Sequence, residues 1–329
     1  MSYPQTAIGT RIVVDWETSQ GVPKVASQKG RKIACTETLA KTKTLDDVDE
    51  VRSDPNPQDP TPGPTDLAGD INLAPNLTNL PFFLAFHTNN MPTPSGGGPY
   101  LYDGAYLSGA LKTIMMEKGY LELGAGAQYE QLTGIANKSL SADFGASGLL
   151  KFRLGCQGMN ASALSGTPYD AAVDDWETGS KLHHAMIAAS GAKIGGAPVD
   201  YVLTGSFNNE RNIVLEDRPV GAAGVLASLP GGKIMCSGTM KCRFASTAVL
   251  SMIQSGDPTS LELIWTIPGG LGYYLSLKWG RIFPEYTSPK KSQDGLLELS
   301  FNWKAAFDSG DASAFRWKVS NDKAAAEYA

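Results

Sequence analysis

The chain contains the same order of sequence patterns twice, and this repetition constrains its fold more than any other feature. In the first half, a strand-like segment at residues 65–73 precedes a helix-like segment at 76–87. In the second half, a strand-like segment at 233–244 precedes a helix-like segment at 246–255. Each helix-like segment is followed by strand-like runs with alternating apolar residues. Because repeated units form quasi-symmetric surfaces, this order favours a protein that assembles with its own copies.

Short strands with one helix per unit predict a mainly β fold of two tandem β-sandwich or barrel-like domains, each with a flanking α-helix. A chain of 329 residues can hold two domains of ordinary size. We predict a first domain at residues 1–165, a connector of small and polar residues at 166–199, and a second domain at 200–329.

The first helix-like segment is apolar on almost every side, which predicts a helix buried against a sheet. Asn76 is the predicted N-cap, and Pro81 suits the first turn of a helix. His87 lies at the end of this segment, where we expect it to interact with the last carbonyl groups.

Residues 51–64 contain five prolines and therefore predict an extended loop. Proline has no backbone N–H, so it is disfavoured inside a strand ladder or a helix. Long ordered loops are often functional. Two interpretations stay open, a surface connector and an arm that docks on a neighbouring subunit.

The charge balance and the apolar segments exclude several classes of protein. A net charge of -5, spread along the chain, argues against a nucleic-acid grip and favours a surface along which DNA slides. Residues 1–5 lack the features of a signal peptide, and every apolar run is too short to span a bilayer. Cys236 and Cys242 are too far apart on one strand for a disulfide, so we expect free thiols.

No catalytic or metal-binding motif survives inspection. The segment that ends at Lys233 lacks the first glycine and the hydroxyl residue of a phosphate-binding loop. The adjacent His183 and His184 would face opposite sides of a strand, so a shared metal ion is disfavoured. The adjacent Asp174 and Asp175 fit a solvated face better than a catalytic pair. We therefore expect no enzymatic activity, no cofactor and no metal site.

Four segments together resemble the major tail tube protein family of tailed bacteriophages. They are residues 16–23 (Trp-Glu-Thr-Ser-Gln-Gly-Val-Pro), residues 50–54 followed by 69–73, residues 132–149, and residues 231–307. The resemblance covers residues 10–308. Its specificity lies in the ordered set, because no single segment carries a chemical motif.

This resemblance implies two tail-tube-like domains whose copies form rings that stack into a tube for DNA ejection. It implies a homotrimeric ring with pseudo-sixfold symmetry, or a homohexamer if only one half is a true tube domain. The implied partners are further copies of the chain, the tape measure protein, the tail terminator and distal tail proteins, with transient non-specific passage of DNA. The implied location is the virion tail, after synthesis in the host cytoplasm and without membrane insertion.

Two groups of residues are predicted to carry this function. Residues expected at contacts between subunits are Trp16, Glu17, Asp54, Pro55, Pro57, Asp59 and Pro60. Strands that line a lumen should alternate polar side chains inward with apolar ones outward. The side chains expected to face the lumen on that basis are Lys138, Ser139, Ser141, Asp143, Ser276 and Lys278.

The alternative function is a virion β-sandwich adhesin that binds carbohydrate. Such a protein needs a cluster of exposed aromatic side chains, and Tyr100, Tyr102 and Tyr106 form the one candidate cluster in the sequence. A β-rich hydrolase has less support, because no nucleophile and base are paired.

Overall fold

The computed structural model describes residues 10–25, 28–47, 59–122, 126–145, 147–179, 181–183, 187–199, 202–213, 226–243, 247–267, 272–285, 288–291 and 297–328. These residues form 21 β-strands and two α-helices, which confirms the prediction of a mainly β fold. Among them, neither helix has the length or apolar composition needed to cross a membrane.

The elements follow one another in an order that is similar in the two halves of the chain. Those of the first half are β1 (Thr10–Ser19), β2 (Val22–Pro23), β3 (Arg31–Lys32), β4 (Thr36–Glu37), β5 (Ala40–Asp46), β6 (Thr61–Leu73), α1 (Leu80–Thr88), β7 (Tyr100–Ala105), β8 (Ile114–Tyr120), β9 (Gln128–Gly145), β10 (Lys151–Gly158) and β11 (Asn160–Ala161). Those of the second half are β12 (Asp174–Asp175), β13 (Ile187–Ile194), β14 (Ala197–Pro198), β15 (Val202–Ile213), β16 (Gly231–Arg243), α2 (Thr247–Ser255), β17 (Thr259–Thr266), β18 (Tyr274–Glu285), β19 (Lys290–Lys291), β20 (Leu297–Ala305) and β21 (Arg316–Asn321).

Strand pairing repeats along with element order. In the first half the antiparallel order is β5–β6–β10–β9, and in the second it is β15–β16–β20–β18. A helix follows β6 and another follows β16. The two four-strand sets are joined because β9 pairs with β15. Within the predicted connector, β13 pairs with β17, and the domain boundaries stay a prediction.

Helix α1 is buried along its whole length, as its apolar sequence predicts. The helix begins at Leu80 and its N-cap residue is Asn79, so the prediction of Asn76 as the cap was wrong. The two asparagines instead bond to each other, because the N–H of Asn79 donates to Asn76 Oδ1 at 2.8 Å and the N–H of Asn76 donates to Asn79 Oδ1 at 3.0 Å. This reciprocal pair fixes the turn that leads into the helix.

The proline-rich segment is only partly a loop. Residues 51–58 lie outside the described residues, and residues 61–64 form the start of β6, so the prediction of a loop over 51–64 was wrong for its last part. Leu45 lies opposite Pro62 in the pairing of β5 with β6. Over residues 61–65 the only described strand partner of β6 is β5, since β10 pairs with β6 only from Leu67 onward. The register of β5 with β6 also shifts between Lys43 and Leu45, so both prolines lie in an irregular stretch at the edge of the sheet, where a strand tolerates proline.

A buried ion pair connects the first strand to the core beneath α1. Arg31 and Asp15 are both fully buried, and Arg31 Nη1 donates to Asp15 Oδ1 at 2.8 Å. The guanidinium lies 5.4 Å from the ring of Phe82 and 5.1 Å from that of Trp176, and its Nε and Nη2 donate to the Glu327 carbonyl. Burial lowers the pKa of Arg31, and the charge of Asp15 opposes that shift. The carboxylate therefore keeps the buried guanidinium compensated.

We expect Asp15→Asn to lower the free energy of unfolding by about 3–5 kcal/mol, because it leaves the charge of Arg31 buried without its counter-ion. Urea unfolding at neutral pH measures the change. The control is Asp70→Asn, which breaks the ion pair of Asp70 with the exposed Arg153 and should change stability little. Equal effects of the two substitutions would contradict the conclusion that Asp15 compensates the buried charge of Arg31.

Candidate interaction surfaces

Strands β6, β10, β9, β15, β16 and β20 form a sheet with one polar face and one apolar face. Cross-strand pairing aligns the polar side chains in rows that run through both halves of the chain. One row is Asn72, Arg153, Ser141, Asn208, Ser237 and Lys304, and the next is Lys151, Asp143, Ser206, Thr239 and Asn302. We call this surface the polar face. Its neighbours in sequence, such as Leu140, Phe207 and Phe301, are buried in the core on the opposite side.

Four of the residues predicted to face a lumen lie together on the polar face. Ser139, Ser141 and Asp143 alternate with buried residues of β9. Lys138 has the parity of the buried set, yet it is exposed, because the register shifts between Gly155 and Cys156 on the partner strand and leaves Lys138 as the extra residue of a β-bulge. The bulge therefore adds a cation to the polar face.

A buried chain of polar side chains holds this bulge. Asn137 Nδ2 donates to the carbonyls of Ser139 at 3.0 Å and Gly155 at 3.3 Å, so Oδ1 is free to accept from His87 Nδ1. The other ring nitrogen, Nε2, then accepts from the Tyr106 hydroxyl. The expectation that His87 would interact with the last carbonyls of α1 was wrong, because its ring is bonded at both nitrogens. Burial lowers the pKa of His87 to about 3, so the ring is neutral.

The other two predicted lumen residues lie in a different part of the sheet. Ser276 is 4% exposed and donates to Glu262 Oε1 at 2.9 Å, while Lys278 forms an ion pair with Asp311 at 2.8 Å. Both lie in the segment of β18 that pairs with β17 and β21, whereas residues 282–285 of the same strand pair with β20. Their assignment to a lumen stays a prediction.

Acidic and basic side chains are paired across the polar face. Arg153 Nη2 lies 2.6 Å from Asp70, and Lys241 Nζ lies 2.7 Å from Glu298. The net negative charge of the chain is therefore not concentrated on the polar face, which carries charges of both signs. The second half of this face could have been recognised in the sequence, because polar and buried residues alternate at 204–210 and 298–304.

Trp16 and Glu17, predicted to contact other subunits, bond within the protomer. Trp16 is 7% exposed, its ring centroid lies 4.5 Å from that of Phe82, and its Nε1 donates to the Tyr328 carbonyl at 3.1 Å. Glu17 accepts from the N–H groups of Gly21 and Gly134, both at 2.8 Å, and from a threonine hydroxyl. Burial raises the pKa of Glu17 even though these bonds oppose the shift. Beyond them, Thr18 and Ser19 are exposed at the end of β1.

The hairpin of β5 and β6 lies at the end of the strand order β5–β6–β10–β9, and we call residues 40–47 with 59–64 the arm. All seven residues of β5 are exposed, and β5 pairs with no described strand other than β6. Asp59 and Pro60 are exposed at the start of β6, while Asp54, Pro55 and Pro57 lie outside the described residues. A two-stranded hairpin is marginally stable alone and an open edge strand invites pairing, so the arm is a surface in need of a partner.

The tyrosines of the alternative carbohydrate-binding function do not form an exposed cluster. Tyr102 is fully buried against Tyr328, and Tyr106 is buried beside His87, which leaves Tyr100 half-buried at the edge. This part of the prediction was wrong, because the rings fill the core. Among the described residues, no three His, Cys, Asp or Glu side chains could hold a metal ion, and the cysteines are free as expected.

Comparison with known proteins gives a match to one family. A family model described as phage tail tube protein matches residues 8–305 of the chain. No curated protein matches the sequence.

The neutral state of His87 predicts a pH dependence of stability. The unfolded chain binds a proton at an ordinary histidine pKa of about 6.5, whereas folded His87 binds one only near pH 3, so unfolding takes up a proton in between. We expect the wild type to lose stability relative to His87→Gln by about 1.4 kcal/mol per pH unit as the pH falls from 6.5 to 4.

Urea unfolding of both proteins across this range measures the difference. Glutamine retains one donor and one acceptor but does not titrate, so the difference should be constant above pH 7. A difference that is constant at every pH would show that His87 is charged or exposed.

Proposed function

The chain belongs to the phage tail tube protein family and is a structural protein of the phage tail, and we propose that its copies close into rings that stack into a tube for DNA ejection. Family membership implies a location in the virion tail. We further propose that the protein is non-enzymatic, is synthesised in the host cytoplasm and does not insert into a membrane.

The observation that carries this proposal is the pairing of β9 with β15. There, the last strand of the first four-strand set meets the first strand of the second, with Phe144 opposite Gly205 and Ser139 opposite Glu210. The equivalent outer edges are β5, at one end of the joined sheet, and the end of β18 with β19, at the other. We propose that β5 of one copy pairs with the β18–β19 edge of the next as β15 pairs with β9. Such head-to-tail contacts close into rings when the rotation allows.

The size of the sheet favours three copies per ring. Each copy offers four strand positions from each half, so three copies give roughly 24 strands with pseudo-sixfold symmetry. At about 4.8 Å per strand, the perimeter is roughly 115 Å and the diameter roughly 37 Å before strand tilt widens it. A homohexamer is the alternative if only one half of each chain contributes to the ring.

We propose that the polar face lines the lumen, with Lys138, Ser139, Ser141 and Asp143 among its side chains. Its opposite side is occupied by the core, so the polar side is the one available to solvent. Hydroxyl and amide groups with locally paired charges offer DNA no run of free cations, which suits transient non-specific passage. A lumen position for Ser276 and Lys278 is a separate proposal, because that part of β18 pairs with β17 and β21 and lies outside the polar face.

We propose that the arm, which includes Asp59 and Pro60, contacts an adjacent subunit or ring, together with Asp54, Pro55 and Pro57 of the segment that joins its two strands in sequence. The segment around Trp16 and Glu17 is the second proposed contact, through its exposed neighbours. Further partners are the tape measure protein within the tube and the tail terminator and distal tail proteins at its ends.

Negative-stain electron microscopy of the purified protein tests the function directly. We expect hollow tubes or rings, with threefold or pseudo-sixfold symmetry in end-on class averages, because the two halves occupy equivalent ring positions. A dispersed monomer at every concentration tried, also after addition of the distal tail proteins, would contradict the proposal. True sixfold averages of twice the expected mass would favour the homohexamer.

Thiol accessibility in the assembled tube tests the orientation of the polar face. We expect Asn208→Cys to react with a small maleimide in both monomer and tube. A maleimide attached to a large polymer should react only with the monomer, because the lumen excludes the polymer. The control is Asp322→Cys, an exposed position on the side of α1. Background should be low, because burial raises the pKa of Cys242 to about 11 and that of Cys35 to about 12. Labelling of Asn208→Cys by the polymer maleimide in intact tubes would show that the polar face is on the outer surface of the tube, which would contradict the proposal.

A further inference from the structure

Arg211, near the end of β15, is a buried cation with no carboxylate partner among the described residues. It is 3% exposed, and its Nε and Nη2 have no hydrogen-bond partner among the described residues. Its guanidinium carbon lies 5.4 Å from the centre of the Tyr106 ring, which is the contact that holds it. Burial lowers the pKa of Arg211, yet an arginine stays protonated. An uncompensated buried charge is strongly destabilising, so this side chain is expected to meet an anion in the assembled state.

Arg211 lines a cavity of about 760 Å³ that has the chemistry of an anion site with an apolar rim. The described lining residues include two basic side chains, Arg211 and Lys233, and no acidic one. At the rim, Leu107 is 50% exposed and Phe307 is 63% exposed. The cavity therefore fits a carboxylate that sits next to an apolar side chain.

The unpaired atoms of Arg211 indicate how a carboxylate would bind. Nε and Nη2 point along one side of the guanidinium, and together they form the fork that binds both oxygens of a carboxylate. A lysine at the same place would provide a point charge without this geometry. The site is thus specific for a planar two-oxygen acid, such as an aspartate side chain.

We propose that the cavity receives the arm of a second copy of this chain, with Leu45 against Leu107 and Phe307 and with the carboxylate of Asp47 at Arg211. This inference rests on the proposed function, and it names the docking site of the arm. Leu45 is 64% exposed, and Asp47, two residues further on and on the same side of an extended chain, is exposed as well. The arm therefore presents an apolar group that matches the rim of the cavity and an acidic group that matches the unpaired guanidinium.

The topology places arm and cavity at the same end of the sheet. Asp46 lies opposite Thr61 at the start of β6, and the cavity is lined by the end of β15, the start of β16 and the residues after β20. Because adjacent strands are antiparallel, all of these termini lie at one end. In the proposed ring, β5 of one copy lies beside the β18–β19 edge of its neighbour. The neighbour's β20 is the strand that follows this edge toward the middle of its sheet. The arm extends roughly 13 Å beyond Thr65, toward the neighbour's cavity.

The test compares the concentration at which full-length variants form rings or tubes, measured by sedimentation velocity and checked by negative-stain microscopy. We expect Arg211→Met to raise that concentration at least tenfold while the melting temperature stays equal or rises, because the buried charge is removed. The assembly concentration of Arg211→Lys should lie between those of the wild type and Arg211→Met, because lysine retains the charge but lacks the two-donor geometry of the guanidinium. The control is Lys151→Met, an exposed cation of β10 on the polar face and away from the proposed lateral edges, which should assemble as the wild type does.

A second set of variants tests the arm itself. Asp47→Asn should impair assembly about as much as Arg211→Met, and the combined variant should be little worse than either, because both remove one contact. Replacing residues 44–64 with Asn-Gly makes a two-residue turn between the paired Lys43 and Thr65, so the protomer should fold without the arm. In that background, Arg211→Met should have no further effect.

The outcomes separate this inference from the proposed function. Failure of the wild type to form rings or tubes would overturn both. Assembly of Arg211→Met at the wild-type concentration, or additive losses from the arm and cavity variants, would overturn the cavity as the docking site and leave the tube function intact. Non-additive losses with an unchanged fold are the result that supports it.

Discussion

The pairing of β9 with β15 is the contact on which the architecture depends. Strand β9 is 18 residues long, and it serves two parts of the sheet, since its first half pairs with β8 and its second half pairs with both β10 and β15. Without the β15 pairing, the two four-strand sets would each present another open edge. With the β9–β15 pairing, the rows of polar side chains of the first half continue in register into the second half, so the polar face extends over both halves of the chain.

Register along β9 depends in turn on a few buried polar groups. A bulge reverses the side-chain parity at Lys138, and a bulge leaves backbone groups that need other partners. Asn137 satisfies two carbonyls there, and His87 and Tyr106 complete the chain of hydrogen bonds back to α1. The helix therefore does more than fill the core, because it fixes where the polar face begins.

Much of this fold follows from local sequence patterns. The alternation at residues 139–144 predicted the polar face of β9, and the uniformly apolar helix predicted its own burial, because both signals depend on neighbouring residues alone. The errors came from interactions between distant segments. Pro62 and Pro64 are compatible with a strand because they lie in an irregular stretch of the β5–β6 pairing, before β10 begins to pair with β6. In the sequence, Tyr102 and Tyr106 resemble exposed aromatic residues, but in the fold their rings are buried against Tyr328 and His87. Arg211 gave no signal, because a lone arginine in a strand shows neither its burial nor its missing partner.

The covalent link between the two four-strand sets has a consequence for the cost of building a closed ring. Each association of separate molecules sacrifices translational and rotational freedom, whereas a contact between segments of one chain forms at a high effective concentration. In a ring of joined repeats, every second lateral junction is already made when the protomer folds. The remaining junctions are then free to differ in sequence and strength from the internal one, so ring closure can be tuned without weakening the protomer.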